Sequence, residues 1–345
     1  MSAYTQELLE TAKALVAKGK GILAMDESSG TCNKRFSALG IPTTEERRRT
    51  YRELILITPL LSDYISGAIL YDETIRQFSK DGIPFVEVMK KAGIIPGIKV
   101  DTGAKDFASF PGETITEGLD GLRERIAEYY KMGARFAKWR AVINIGVDIP
   151  SHTAIQANAH ALARYAALCQ EGGLVPIVEP EVLIDGDHTL GRCFHITDLT
   201  LNEVFNQLHA HRVAFEQMIL KPSMVIAGKN CPIQSSVDEV AEATIKCLLK
   251  NVPATVAGIA FLSGGQTNEQ SSAHLSVMNA KYKTCPWNVT FSYARAIQQP
   301  ALEYWRGNDA NISQAQKLLY HRAKCNSAAS LGQYSDSMER ELVVV

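Results

Sequence analysis

Eight short apolar runs recur along the chain, separated by stretches of helical period. The runs are residues 21–24, 64–70, 94–100, 135–142, 174–182, 218–225, 258–262 and 288–293. Helical period occupies 44–56, 117–132, 154–170, 201–217 and 238–249, among other stretches. Strand–helix alternation of this kind predicts a parallel sheet with crossover helices. The pairs Thr43 with Glu46, Thr114 with Glu117, and Ser236 with Glu239 fit S/T-x-x-E, which lets side chains satisfy the open amides of a helix start.

Eight repeats over about 270 residues predict an α/β fold, the (β/α)8 TIM barrel, whose usual size is about 250 residues. An open doubly wound sheet is the alternative, and it calls for a glycine-rich turn after the first strand. Here that strand runs into Ala24, Met25, Asp26, Glu27, Ser28, Ser29 and Gly30, which is no GxGxxG. No Pro/Gly/Ser linker divides the chain. The expected organisation is one barrel catalytic domain over residues 1–332, then a C-terminal tail, 333–345, that lacks a period and is expected to be mobile.

The net charge is −1, with Lys and Arg spread along the chain, so there is no electrostatic footprint for nucleic acid or an anionic membrane. An acidic small-molecule ligand therefore needs a local site. No run approaches the roughly 20 apolar residues of a membrane span. Residues 1–20 read as an amphipathic helix without a signal or transit pattern. Seven scattered cysteines with no CxxC pair fit thiols in a reducing compartment, and the expected location is cytoplasmic.

Charged residues sit in or just after nearly every predicted strand. Asp26 follows the first, Lys99 and Asp101 end the third, Lys138 and Arg140 lie in the fourth, Glu179 and Glu181 in the fifth, and Lys221 in the sixth. Ser263, Gly264 and Gly265 follow the seventh, and Arg295 the eighth. In a barrel the carboxyl ends of all strands meet on one face, where active sites form. Alternate residues of a strand point the same way, so Lys138 and Arg140 share a face, as do Glu179 and Glu181, and Lys99 and Asp101. Charges gathered in a small space persist by pairing with each other and with an anionic ligand.

A lysine in such a place is a candidate nucleophile, because desolvation and neighbouring cations disfavour its ammonium form. Lys221, in the apolar stretch Met218, Ile219, Leu220, is the first candidate, and Lys138 is its rival. The plain alternative is a strand-end lysine whose stem covers apolar surface while its head reaches water. Ser263-Gly264-Gly265 reads either as a phosphate cradle, assisted by Arg295, or as a simple turn. The eight histidines are dispersed. His209 and His211 project to different sides of a helix, and His188 is expected to be solvated or locally hydrogen-bonded in a loop, so no metal site is expected.

Seven ordered blocks together resemble class I fructose-bisphosphate aldolase over nearly the whole chain: GILAMDES (21–28), IPGIKVD (95–101), RFAKWR (135–140), VPIVEPE (175–181), ILKPSMV (219–225), FLSGGQ (261–266) and FSYARA (291–296). The wording DYISGAIL (63–70) and SYARA is similar to the plastid and cyanobacterial branch. The resemblance implies a barrel in a homotetramer, no cofactor, no metal, and sugar phosphates as partners in glycolysis, gluconeogenesis or the Calvin cycle. It implies that Lys221 forms a Schiff base, that Glu179 is the acid/base for loss of water, that Glu181 and Lys138 tune the site, and that Asp26 assists at the C4 hydroxyl. Ser263, Gly264 and Arg295, with Gly265 and Ala294 beside them, would hold the C1 phosphate. Ser28, Thr31, Arg35, Lys99 and Arg140 would hold the other phosphate and the sugar chain.

Two departures from the family pattern stand out. Ala294 replaces a glycine of many animal relatives, which strains the backbone only if φ is positive there. The chain ends in Val343, Val344 and Val345, where the family commonly has a tyrosine that aids proton exchange on the enamine. Water, a carboxylate or Tyr334 is expected in its place. Alternatives within the same chemistry are sedoheptulose 1,7-bisphosphate or fructose 1-phosphate as main substrate. A barrel with a scaffolding role is the alternative outside catalysis.

Overall fold

In the computed structural model, which describes residues 4–340, helices and strands alternate as the sequence predicts. The strands are β1 (Gly21–Ala24), β2 (Ile65–Leu70), β3 (Ile95–Lys99), β4 (Gly103–Asp106), β5 (Thr114–Glu117), β6 (Phe136–Ile143), β7 (Val175–Val182), β8 (Ile219–Leu220), β9 (Gly258–Phe261) and β10 (Asn288–Tyr293). All but β4 and β5 form a closed barrel in the order β1-β10-β9-β8-β7-β6-β3-β2. Every barrel pairing is parallel, and Ile22 opposite Ser292 closes the ring. The fold is a (β/α)8 TIM barrel.

Two apolar clusters divide the interior. One fills the barrel, with Ile22, Ile69, Phe136, Val175, Ile177 and Ile219. The other lies between strands and helices, with Leu23, Trp139, Val178, Leu220 and Phe291. The alternation along each strand is the pleat, which sends successive side chains to opposite faces. Phe136 fits inside because Gly97 faces it: a Cβ on Gly97 would lie 2.2 Å from the ring. The helix Thr5–Leu15 stoppers the amino-terminal end of the barrel, its Leu8, Ala12 and Leu15 buried in the inner cluster.

Several local expectations are corrected. Thr114 and Glu117 do not open a helix; they bound β5, which pairs antiparallel with β4. The period-2 run Thr-Ile-Thr-Glu suits a strand, and Thr114 and Thr116 donate their hydroxyls to Val142 O and Arg140 O, seating the hairpin against β6. The following helix is Leu122–Met132, entered through left-handed Gly121. Thr44, not Thr43, caps the helix Glu45–Leu56, accepting from Arg47 N. The Ser236–Glu239 capping box is present at the start of Val237–Asn251. The helix expected over 201–217 runs Leu190–Ala210 and is capped by Thr189.

The sixth strand is far shorter than 218–225. Only Ile219–Leu220 pairs with both neighbours, because Pro222 has no N–H for the ladder. Of the tail, residues 341–345 lie outside the described residues. Within the described part, Asp336–Arg340 is a 3-10 helix whose Glu339 pairs with the buried Arg322 and accepts a 2.8 Å hydrogen bond from Tyr334. Among the described residues no helix is long and apolar enough to cross a membrane. None of the seven cysteines is in a disulfide.

Candidate active site

The pleat decides which charged side chains enter the barrel. Phe136 points inward, so Lys138 and Arg140 do too; Val175 and Ile177 point inward, so Glu179 and Glu181 follow; Ile219 carries Lys221, and Ile22 and Ala24 carry Asp26. They meet at the carboxyl ends of the strands in a cavity of about 540 Å³. Ser28, Thr31, Arg35, Lys99, Ser263, Gly264, Ala294 and Arg295 also line it. A second cavity, about 420 Å³, opens at the opposite end between Val16, Trp287 and Leu331, and no carboxylate lines it. The chemistry therefore belongs to the first.

At the cavity floor, acids and ammonium groups alternate. Lys138 Nζ lies 2.7 Å from Asp26 Oδ2 and 3.3 Å from Glu179 Oε2, and Lys221 Nζ lies 3.4 Å from Glu179 Oε1. All four residues are buried. Burial alone would raise the Asp26 pKa, but the nearby cations, Lys138 foremost and then Lys221 and Lys99, bring it down to about 2. Burial likewise works against the Lys138 ammonium, yet Asp26, Glu179 and Asp101 outweigh it and hold its pKa far above the ordinary value. Lys138 Nζ thus has two carboxylates beside it, Asp26 and Glu179, and Lys221 Nζ has Glu179, which leaves Lys221 the first candidate for the nucleophile.

The rim holds further pairs. Arg140 is ion-paired with Glu181, and Lys99 Nζ lies 2.6 Å from Asp101 Oδ1. Asp101 also accepts from the amides of Gly103 and Arg140, so it anchors the β4–β5 hairpin to β6. Ser28 caps the helix Ser29–Ala38 by accepting from Thr31 N, and both Ser28 and Thr31 line the cavity. Arg35 is pinned by Glu27 at 2.6 Å and by Gln299 at 2.8 Å.

Across the mouth, Ser263 leads into Gly264 at φ +58° and Gly265 at φ +89°, left-handed conformations that suit glycine. Arg295 opens the helix Arg295–Trp305 beside them. Ala294 has φ −104°, so replacing glycine costs no strain there. Helix amides, a serine and a guanidinium are together the kind of groups that can hold an anion.

Gly265 does not line the cavity; the Lys229 side chain lies against its open face. The sequence reading also missed Lys34, Glu27 and Ser292, which do line it. Ser292 Oγ is buried with no hydrogen-bond partner among the described residues, and β10 points it inward beside Ala294. Its signal was its even spacing from Thr290, which a full strand-parity reading would have caught.

His188, expected to be solvated or locally hydrogen-bonded in a loop, is buried, with its ring close to the Ile226 backbone. Burial lowers its pKa. Donor atoms of His321, Cys325 and Glu339 gather within 4.8 Å of one another away from the cavity, but Arg322 already claims Glu339.

Comparison with known proteins gives the family of the chain. The sequence model of the family "Fructose-bisphosphate aldolase class-I" matches residues 7–343. The chain is 61% identical over 330 residues to a "Probable fructose-bisphosphate aldolase class 1" of Xanthomonas campestris pv. campestris, covering 95% of this chain and 98% of that one. It is 48% identical over 339 residues to "Fructose-bisphosphate aldolase 3, chloroplastic" of Arabidopsis thaliana, covering 98% and 86%. A solved Plasmodium falciparum fructose-bisphosphate aldolase, in complex with TRAP and a small molecule inhibitor, superposes with TM-score 0.95 at 44% identity, covering 97% of each chain. With a closed barrel, a cavity at its carboxyl face and full-length similarity on record, the chain belongs to the class I fructose-bisphosphate aldolase family.

Proposed function

We infer that this cavity carries out reversible aldol cleavage of fructose 1,6-bisphosphate through a Schiff base on Lys221. The observation that carries the reading is the sharing of Glu179: one oxygen faces the fixed cation Lys138, the other faces Lys221. A carboxyl group so placed can pass protons at the Lys221 nitrogen while Lys138 keeps its own.

The free amine of Lys221 attacks C2 of the open-chain keto sugar. Glu179 protonates the departing hydroxyl, water leaves, and an iminium remains. The iminium accepts the electron pair of the C3–C4 bond as it breaks, giving a neutral enamine instead of a carbanion. The C4 hydroxyl proton passes to Asp26, and glyceraldehyde 3-phosphate departs. The substrate phosphates bring negative charge among the cations that depress Asp26 and so restore part of its proton affinity. Protonation at C3 and hydrolysis then release dihydroxyacetone phosphate.

Ser263, the Gly264 amide and Arg295 hold the C1 phosphate in this scheme. Ser28, Thr31 and Arg35, with Lys99 and Arg140, hold the other phosphate and the sugar chain. Contacts remote from C2 speed the reaction only as far as they align the reacting centre. Glu181 holds Arg140 in place. Tyr334 commits its hydroxyl to Glu339 and does not line the cavity, so this scheme does not draw the enamine proton from it.

Borohydride reduction in the presence of dihydroxyacetone phosphate, followed by peptide mapping, tests the reading. The added mass belongs on Lys221; label on another lysine, or none, refutes it.

A further inference from the structure

We propose that Lys229 is a second cation for the C1 phosphate, a positioning residue that sets affinity for phosphate-bearing C1 ends; this deepens the reading above and rests on it. Lys229 lies outside the cavity wall, yet its location is firmly set. The loop after β8 is laced to the loop after β7 by Gly228 N to His188 O, Lys229 N to Ile184 O and Asn230 N to Gly186 O, at 2.8, 2.8 and 2.9 Å. The backbones approach so closely that a Cβ on Gly228 would lie 2.4 Å from Gly186 O.

From that fixed backbone the side chain reaches over Gly265. Its Nζ and Cε lie 2.8 and 3.0 Å from where a Gly265 Cβ would be, and Arg295 Nη2 lies 3.6 Å from the same point. Gly265 is therefore the place where Lys229 and Arg295 converge, and a side chain there would displace the ammonium. Two cations from different loops flanking a serine–glycine turn suit a phosphate dianion, whose three terminal oxygens offer more acceptors than one guanidinium and one hydroxyl fill.

Lys229 is now paired with Asp185 at 3.1 Å, with both side chains well exposed, at 43% and 66%. An exposed pair of this kind holds its lysine weakly. A phosphate dianion arriving between Lys229 and Arg295 takes the ammonium over, and Asp185 competes with it. The same residue thus acts on any substrate that carries a C1 phosphate, whatever its far end.

The test titrates borohydride trapping at Lys221 against dihydroxyacetone phosphate, which carries only the C1 phosphate, and measures KM and kcat for fructose 1-phosphate. Lys229→Met is expected to raise the half-saturating concentration and KM about 5- to 20-fold, with a smaller loss of kcat. Lys229→Arg retains most of the affinity. Asp185→Asn tightens binding, because it frees the ammonium. The difference between wild type and Lys229→Met shrinks at high ionic strength.

If Lys229 only braces the loops through Asp185, both Asp185→Asn and Lys229→Met weaken binding together, and the proposal is overturned. If Lys229→Met stays within about twofold of wild type while Lys221 is trapped normally, the role of Lys229 falls and the reaction stands. Failure of wild type to trap at Lys221 brings down the reaction itself.

Discussion

Lys138 and Lys221 share the carboxylate of Glu179, one on each oxygen, at 3.3 and 3.4 Å. The two amines differ in the rest of their company. Lys138 has Asp26 at 2.7 Å as a further partner, and that second acid holds it charged. In the proposed reaction the two lysines of this cluster therefore take different work, one electrostatic and one nucleophilic.

Lys221→Ala is expected to lower kcat by several orders of magnitude and to abolish borohydride trapping. Lys138→Ala is expected to lower kcat by about 10²- to 10⁴-fold while trapping persists at Lys221. Steady-state kinetics joined to mass spectrometry separates the two roles; equal loss of trapping in both variants would count against the assignment.

The acid limb of stability carries a signature of Asp26. Its folded pKa, about 2, lies below the ordinary 3.8 of an aspartate, so the stabilisation is fully present above about pH 4 and is lost as pH falls through 2. The shift corresponds to roughly 2 kcal/mol. Asp26→Asn is expected to cost at least that at pH 7 in urea denaturation, since it also leaves Lys138 short of a partner.

His274 acts in a higher window. Its Nδ1 lies 2.6 Å from Gln266 Oε1, and burial brings its pKa down to about 4 from 6.5. The unfolded chain takes up the proton first, so stability falls as pH drops below 6.5 and levels near 4, by roughly 3 kcal/mol at most. His274→Asn is expected to flatten the stability–pH curve across that window, whatever it does at pH 7.

The inner core depends on Phe136 facing Gly97. Phe136→Ala is expected to cost about 3–5 kcal/mol by leaving a cavity. Gly97→Ala overfills the same space and is expected to cost about 1–3 kcal/mol or more. Combining Gly97→Ala with Phe136→Leu is expected to cost less than the sum of the single changes, since the smaller side chain makes room; strict additivity in urea titrations would refute direct contact.

An iminium supplies the electron sink in the proposed chemistry, so EDTA is expected to leave the cleavage rate unchanged within error. A loss restored by a divalent cation would point to a metal-dependent route.

The barrel was legible because its strands are apolar runs bounded by charged ends, and much of the charged cavity lining was legible because period-2 spacing tells which charges share a face. Lys138 with Arg140 and Glu179 with Glu181 needed no more than that. The β4–β5 hairpin was not legible, because Thr-x-x-Glu fits a helix cap and a β-branched strand alike, and the choice rests on Val142 O and Arg140 O, which tertiary folding brings to the threonines. The brevity of β8 was announced by Pro222, but its weight depends on where neighbouring strands stop. Lys229 gave no signal, since its nearness to Gly265 joins two loops far apart in sequence.

The stopper at the amino-terminal end leaves the barrel with one doorway. Whatever enters at the carboxyl face must leave by it, past the same cations. In the proposed reaction a fragment bonded to Lys221 cannot go first, so the aldehyde would depart ahead of it, and traffic through a single opening would impose an order that no separate gate is required to enforce.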